Sequence, residues 1–466
     1  MASAKKLFAP KDMTQGKPWK RIVEFSIPML LGNIAQQFYN TADSIIVGRY
    51  IGDNALAAVG SASPILNLLL VLFVGIAVGA GIMVSQYFGA KDRDNLSRTI
   101  GTCISLTAIA SIIIMIIGPL SSRPLLLLLN TPPSILDWCL GYLNIFFLGS
   151  AGFAFYNILA GVLRGLGDSF SALIFLLIST VLNVFLDILF VAKFGLGVPG
   201  AALATVIAQG ISAVFCFWKL LQMKDSFDLN RPMLKLNKEH TLTLVKLGLP
   251  SGFTQAVFSL AMIVVQSLTN SFGEMVIACN VIVMRVDGFA MMPNFSFGAA
   301  LTTFSGQNIG AKKMERVEQG TRDGTLIAMA VSGVITIILL FFGQHLMNIF
   351  TDTPELVVLS MRMMRILAFG YVAVAVTQSL SGVMRGAGDT MTPMWVSLIT
   401  VVVLRVPIAY GIAYFTRSEL FPTGRPESTF ISLLISWTLG AVITLIYFKR
   451  GAWRHKRIEE QDQPVS

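Results

Sequence analysis

Long apolar stretches separated by short polar turns make up most of this chain. An apolar helix of about 20 residues crosses the roughly 30 Å hydrocarbon layer of a membrane, where only helices and closed barrels satisfy their own backbone. Twelve stretches have this length and character. They cover approximately residues 22–47, 55–84, 97–119, 138–162, 170–194, 199–222, 243–270, 276–304, 320–343, 357–382, 393–415 and 428–448. The pattern predicts an all-α integral membrane protein with twelve transmembrane helices.

One long polar segment interrupts the apolar pattern and leaves six predicted helices on either side of it. We therefore expect two lobes joined by a linker, with a tail at each end. The predicted parts are an N-terminal tail at 1–21, an N-lobe at 22–222, a linker at 223–242, a C-lobe at 243–448 and a C-terminal tail at 449–466.

The two halves repeat each other at one constant offset along the chain. QYFGAK at 86–91 corresponds to QNIGAK at 307–312, and GVLRGLGDS at 161–169 corresponds to GVMRGAGDT at 382–390. A constant offset indicates duplication. Because each half has an even number of helices, both halves enter the membrane from the same side. The halves are then parallel repeats related by an axis along the membrane normal, which suits alternating access by two lobes.

Composition and charge agree with a membrane protein and exclude several other classes. Of the 466 residues, 54% are hydrophobic and only 13% are charged, about half the charged share of a soluble domain. A water-soluble enzyme and a disordered chain are excluded. Of the 35 Lys and Arg residues, 26 lie in the tails and in the loops on the same side as the N-terminus, and five lie in the loops on the other side. This bias predicts that both termini are cytoplasmic, and it explains the net charge of +10 without a nucleic-acid partner.

Two acidic residues of the first half lie inside predicted membrane-spanning helices, where an ionisable side chain is costly and usually functional. Asp43 ends a polar stripe on one face of the first predicted helix, after Asn33, Gln36 and Asn40. Asp187 lies one turn after Asn183 in the fifth helix, and Thr205 lies at a similar predicted depth in the sixth. Two carboxylates, an amide and a hydroxyl form a set of hard oxygen ligands that suits Na⁺ or proton exchange. The alternative is that both acids are hydrogen-bonded structural residues.

Arginines dominate the ionisable residues inside the second half. Arg285, Arg362, Arg365 and Arg405 fall within predicted helices and are balanced there only by Asp287. A structural explanation is available for three of them. Arg362 and Arg365 can extend their side chains to the outer membrane surface, and Arg405 can donate hydrogen bonds to carbonyl groups left free around a proline. We take Arg285, Asp287 and Arg405 as candidate substrate contacts, together with Met262, Met284, Met291 and Met292, for which core packing is the simpler alternative.

No feature of the sequence indicates a resident cofactor. The three histidines all lie outside the predicted helices and have no metal-ligand spacing around them, so neither a zinc site nor a catalytic triad is visible.

The combination of motifs resembles the MATE (multidrug and toxic compound extrusion) transporters over residues 17 to 450. It is carried by PMLLGNIAQQFYNTADSIIVGRYIG at 28–52, the two GAK loops, the RGxGD turns at 164–168 and 385–389, and LNVFLDILF followed by GVPGAALAT. The resemblance implies a MATE/MOP-type fold in the plasma membrane. It also implies export of small amphipathic, mostly cationic compounds, driven by inward Na⁺ or H⁺.

The resemblance is greatest to the DinF-like branch of that family. It implies a cation site at Asp43, Asn183, Asp187 and Thr205, with the Ala201 carbonyl as a further ligand. The chain departs from the NorM-like branch, which has carboxylates on the seventh and tenth helices, so coupling is expected in the first half. Two other classes stay open at this point: a flippase for a lipid-linked saccharide, which would hold a phosphate with the arginines, and, more remotely, a membrane-embedded enzyme.

Overall fold

A computed structural model describes residues 10–458, and the secondary structure of this part of the chain is helical. The predicted tails therefore lie partly outside the described residues. The helices are α1 (Pro18–Tyr50), α2 (Asp53–Ala90), α3 (Arg93–Leu128), α4 (Pro133–Leu148), α5 (Ser150–Gly165), α6 (Ser169–Asp187), α7 (Gly197–Leu221), α8 (Lys238–Ser271), α9 (Glu274–Gly310), α10 (Met314–Asn348), α11 (Pro354–Ala368), α12 (Tyr371–Gly386), α13 (Met391–Leu398), α14 (Arg405–Phe415) and α15 (Glu427–Arg450).

Each of the twelve predicted segments coincides with one helix or with a broken helix. Within residues 10–458, nine helical segments are long and apolar enough to cross a membrane, and two bent pairs raise that number to eleven. The remaining predicted segment, 22–47, lies in α1 and is not among them. The reason is its polar stripe, which lowers the hydropathy of a helix that is long enough to span.

The breaks in the helices occur at matching places in the two halves. α4 and α5 meet at 51° around Gly149, and α11 and α12 meet at 44° around Gly370. The fifth predicted span of each half contains a π-helical segment, Ile188–Lys193 after α6 and Ile399–Leu404 before α14. π-Helical turns widen a helix and occur often at functional sites.

The repeat is visible in backbone detail as well as in sequence. Lys91 and Lys312, which occupy the same position in the two repeats, both adopt a left-handed conformation with φ of 58° at the end of a helix. Asp168 caps α6 by accepting hydrogen bonds from the backbone and hydroxyl of Ser171, and Asp389 makes the same two bonds with Thr392. Side-chain capping of this kind satisfies amide groups that the first turn of a helix leaves free.

Contacts divide the chain into two compact units, each with a core of its own. The first unit contains residues 27–252 and the second contains 13–26 together with 253 onwards. The predicted linker 223–242 belongs to the first unit. There Arg93 makes two hydrogen bonds to the carboxylate of Asp228, at 2.8 and 2.9 Å, and further bonds to the carbonyls of Lys224 and Asp225.

Helices within each unit pack closely through small residues. A Cβ atom on Gly161 of α5 would come within 2.6 Å of the Ala77 carbonyl oxygen of α2. In the second unit, a Cβ on Gly382 of α12, the repeat counterpart of Gly161, would collide with the carbonyl of Gly298 on α9. Small residues that let backbones approach are typical of helix pairs in membranes.

Large apolar side chains also cover outward faces of the helices. Leu120 of α3, Phe341 of α10 and Phe415 of α14 are 75%, 78% and 85% exposed. Apolar surface on this scale is rare in soluble monomers and indicates contact with lipid.

Candidate functional site

Three helices of the first unit each contribute two polar side chains that lie one turn apart. These pairs are Tyr39 and Asp43 on α1, Asn183 and Asp187 on α6, and Thr205 and Gln209 on α7. Residues four apart share a helix face, so each helix presents one pair to the interior. Asn183 and Asp187 are fully buried, and Thr205 is 9% exposed.

The structure brings the two predicted carboxylates of this unit together. The carboxyl groups of Asp43 and Asp187 lie close enough for their charges to repel each other when both are ionised. Beside them, the Asn183 amide donates to the Thr205 hydroxyl at 3.4 Å, and the Tyr39 hydroxyl lies next to Thr205 and Gln209. Asp187 is the last residue of α6, where the helix widens into its π-helical segment.

Most oxygen atoms of this cluster have no hydrogen-bond donor. Among the described residues, six of these oxygen atoms have no hydrogen-bond partner. They are both carboxylate oxygens of Asp187, one carboxylate oxygen of Asp43, the side-chain carbonyl oxygens of Asn183 and Gln209, and the hydroxyl of Tyr39. Burying such groups without partners is costly. A set of carboxylate, amide and hydroxyl oxygens fits a hard monovalent cation or exchangeable protons.

The other residues of the predicted site lie around this cluster in different ways. Ala201 is buried in α7, one turn before Thr205. Asn33 is half-buried, whereas Gln36 donates to Asn40 at 3.3 Å on an exposed face of α1. The polar stripe thus divides, with Asp43 at the buried cluster and the Gln36–Asn40 pair on the exposed face.

Tyr39 and Gln209 belong to the cluster, although sequence reasoning did not select them. Tyr39 lies four residues before Asp43, and Gln209 lies four residues after Thr205. That spacing is the signal that would have found them, since it places each beside a residue already chosen. By itself, an aromatic residue in an apolar helix indicates ordinary core packing.

A second polar cluster lies inside the second unit and joins four helices. The Tyr371 hydroxyl of α12 donates to the Asp287 carboxylate of α9 at 3.0 Å, and its ring packs against Trp437. Arg405, at the start of α14, donates to the Met262 sulfur of α8 at 3.4 Å and lies close enough to Asp287 for their charges to attract. The structure therefore brings three of the predicted substrate contacts, Met262, Asp287 and Arg405, to one place.

The remaining predicted substrate contacts lie elsewhere in this unit. Arg285 is exposed on α9. Met291 is part of the apolar core of the unit, Met284 packs against that core, and Met292 is 7% exposed. Arg362 is paired with Glu427 at 3.1 Å. Met291 and Met284 thus belong to the apolar core that also contains Tyr371 of the polar cluster.

Two repeats of membrane-spanning helices with buried intramembrane acids are typical of secondary membrane transporters. The family model described as MatE matches residues 28–189 and 250–411, which is one match in each half of the chain. The chain belongs to the MatE family, so the resemblance read from its motifs is confirmed. It is a multi-pass transporter of the plasma membrane and not an enzyme.

Similar proteins match this chain over almost its full length. It is 29% identical to the probable multidrug resistance protein YoeA of Bacillus subtilis, over 94% of this chain and 95% of that protein. It is 30% identical to the probable multidrug resistance protein YpnP of the same organism, over 96% and 98%. Among solved structures, an outward-facing multidrug resistance MATE transporter of the MOP superfamily superimposes with a TM-score of 0.87 at 24% identity, over 94% of this chain and 96% of the other. The last comparison shows the fold.

Proposed function

We propose that this chain exports small amphipathic compounds, mostly cationic drugs, in exchange for Na⁺ or H⁺ that enters through the site on α1, α6 and α7. The observation that carries the proposal is the Asp43–Asp187 pair, with its unpartnered oxygens held inside a membrane-spanning unit. The names of the relatives YoeA and YpnP support drug export. The charge bias of the loops supports cytoplasmic termini, so that export runs away from them.

Coupling follows from the chemistry of two neighbouring carboxylates. Two ionised carboxylates repel each other in a medium of low dielectric, and a bound Na⁺ or a proton relieves the repulsion. The ion can drive transport only if it binds one arrangement of the transporter more tightly than the other, since equal affinity shifts no equilibrium. By linkage, the substrate must then weaken ion binding by the same factor by which the ion weakens substrate binding.

The substrate itself is expected to contact the second unit more than the first. Asp287 is an acid inside that unit and interacts electrostatically with Arg405, which in turn contacts the flexible thioether of Met262. A carboxylate attracts the cationic end of an amphipathic compound, and a methionine side chain adapts to varied apolar shapes.

The test is dye uptake into inside-out membrane vesicles from cells that lack their own pumps. An imposed Na⁺ or proton gradient should drive uptake by the wild-type protein, and Asp43→Asn should abolish it at equal expression because the amide cannot carry the charge. Asp94→Asn, a change to an exposed acid paired with Arg98 on the surface, serves as the matched control and should transport normally. Wild-type transport by Asp43→Asn would remove the site from the mechanism.

A further inference from the structure

The linker between the two halves follows the surface of α3 in the first unit. The Leu234 carbonyl accepts a hydrogen bond from the Ser105 hydroxyl at 2.5 Å. Beside it, the Met233 carbonyl lies so close to α3 that a Cβ atom on Gly101 would collide with it. α3 begins at Arg93, and at 1.5 Å per residue Ser105 lies about 18 Å along this helix. The linker thus reaches well along the side of a membrane-spanning helix.

The contact at Ser105 is continuous with a lipid-facing surface of α3. Ile109, Ile112, Ile116 and Leu120 are 42%, 56%, 60% and 75% exposed. At 100° per residue, all four share a helix face with Ser105. Exposed apolar side chains on one face of such a helix indicate contact with acyl chains. The linker therefore touches α3 where the hydrocarbon layer begins.

The part of the linker around this contact, residues 231–238, exposes basic and apolar side chains together. Its sequence, RPMLKLNK, contains three basic residues and no acidic one. Arg231, Lys235 and Lys238 are exposed, and within the described residues none of their side chains forms an ion pair or a hydrogen bond. Leu234 and Leu236 are 37% and 47% exposed. The segment therefore offers unpaired positive charge and apolar surface at one place.

The start of α8 shows the same change from basic to apolar on one helix face. Lys238 begins this helix, and Leu242, one turn later on that face, is 65% exposed. Leu249, two turns further, is 49% exposed. The His240 ring contacts the Thr99 hydroxyl at 3.3 Å, which holds this end of α8 beside α3. A basic residue one turn before exposed leucines is an arrangement that suits an ammonium group among lipid headgroups and leucines among acyl chains.

We propose that residues 231–238 bind anionic phospholipids, with Leu234 and Leu236 in the acyl-chain region and the three basic side chains on headgroup phosphates. The leaflet concerned lies on the N-terminal side of α3, which the charge bias of the loops predicts to be cytoplasmic. Basic residues attract anionic headgroups, and adjacent apolar side chains add burial among the acyl chains. Inorganic phosphate would pair with the charges alone and leave the leucines in water. This surface requires neither the exported compound nor the coupling ion proposed above.

The depth of the linker in the bilayer is measured with a fluorophore on Leu236→Cys, which labels selectively because the four native cysteines are buried. The protein is placed in nanodiscs of phosphatidylcholine alone, or of phosphatidylcholine mixed with phosphatidylglycerol. Quenching by acrylamide in the water is compared with quenching by a spin label near the headgroup end of an acyl chain. Lys224→Cys is the control position, because the Lys224 carbonyl accepts a hydrogen bond from Arg93 at the start of α3.

With phosphatidylglycerol present, the label at position 236 should be quenched by the lipid spin label and protected from acrylamide. The label at position 224 should show the reverse. Equal access of acrylamide to both positions in both kinds of nanodisc would overturn the proposal, because it would show a solvated loop. Equal protection of position 236 with and without phosphatidylglycerol would overturn the assignment to anionic lipid.

Affinity for the lipid is measured in detergent, from quenching of the label at position 236 by spin-labelled phosphatidylglycerol. The test variant combines Arg231→Gln, Lys235→Gln and Lys238→Gln. Because each basic residue near the membrane surface contributes about fivefold to binding, the Kd should rise roughly 100-fold in this variant. The matched control removes the same charge from three exposed basic residues of the second unit, by Lys312→Gln, Arg322→Gln and Arg450→Gln.

The matched control should bind phosphatidylglycerol with the wild-type affinity. An equal loss of affinity in both triple variants would contradict the proposal, because it would reflect net charge and not this surface. Glycerol phosphate, which has the phosphate but no acyl chains, should not displace the lipid. Displacement by glycerol phosphate at a concentration equal to that of the lipid would assign a site for soluble phosphate and overturn the lipid surface.

Discussion

Replacing Asp187 by asparagine distinguishes two roles for this residue, that of a cation ligand and that of a structural acid. Asp187 is fully buried, and neither of its carboxylate oxygens has a donor among the described residues. The amide keeps the volume but removes the charge. A cation that binds the folded protein only, at 100 times its Kd, stabilises the wild type by about 2.7 kcal/mol.

Loss of one charged contact costs about 1.5–3 kcal/mol, which weakens binding roughly 10- to 150-fold. At the same Na⁺ concentration, the variant would therefore gain only about 0.3–1.4 kcal/mol. Without Na⁺, Asp187→Asn should be the more stable protein, because it removes an unpartnered buried carboxylate. Its free energy of unfolding should then exceed that of the wild type by about 1–3 kcal/mol.

The assay is thermal unfolding of purified protein in detergent, with NaCl exchanged for choline chloride at constant ionic strength. A second series at two pH values measures the effect of proton binding on thermal stability in the same way. The matched control is Asp168→Asn. Asp168 is equally buried, but Ser171 and Lys219 satisfy it. Because asparagine also caps a helix, this control should lose its ion pair with Lys219 but keep most of its capping stability and the full response to the cation. If Asp187→Asn also keeps the full response, Asp187 is not a ligand.

Three other outcomes are expected. Asp287→Asn should change which dyes are exported while leaving the dependence on Na⁺ and pH intact, and the opposite pattern in vesicle transport would assign coupling to the second unit. Arg93→Ala should make the segment around Asp228 more sensitive to trypsin. Because Arg93 lowers the pKa of Asp228, their contact persists at neutral pH and is lost only as acid protonates that carboxylate. Equal cleavage of the wild type and the variant at pH 7 would refute this prediction. Gly382→Ala should lower thermal stability by about 1–3 kcal/mol through its collision with α9, whereas Gly411→Ala, whose new Cβ meets nothing within 4 Å, should not.

The sequence predicted the architecture well because that architecture follows from local features of the chain, namely its apolar stretches, its polar turns and its repeat. Each apolar stretch became a helix or a broken helix, and the repeat reappears in the caps at Asp168 and Asp389 and in the close packing at Gly161 and Gly382. The bends around Gly149 and Gly370 and the two π-helical segments were not foreseen. They depend on packing against other helices, which hydropathy does not report.

The candidate ion site could be predicted only in part. The pairing of Asp43 with Asp187 was anticipated, because depth in the membrane can be estimated from the position of a residue within its span. Tyr39 and Gln209 were missed, because their apolar or neutral character carries no signal until a neighbour is known. The contact between Tyr371 and Asp287 joins residues 84 positions apart. Nothing in a single sequence indicates such a pairing.

Reciprocal binding of ion and substrate is the central claim, and calorimetric titration of the purified wild-type protein with a transported dye tests it most directly. The dye affinity is measured across a series of Na⁺ concentrations and of pH values. We expect Na⁺, acid or both to weaken dye binding, and the dye to weaken binding of the same ion by an equal factor. A dye affinity that neither Na⁺ nor pH alters would contradict ion-coupled export by this chain.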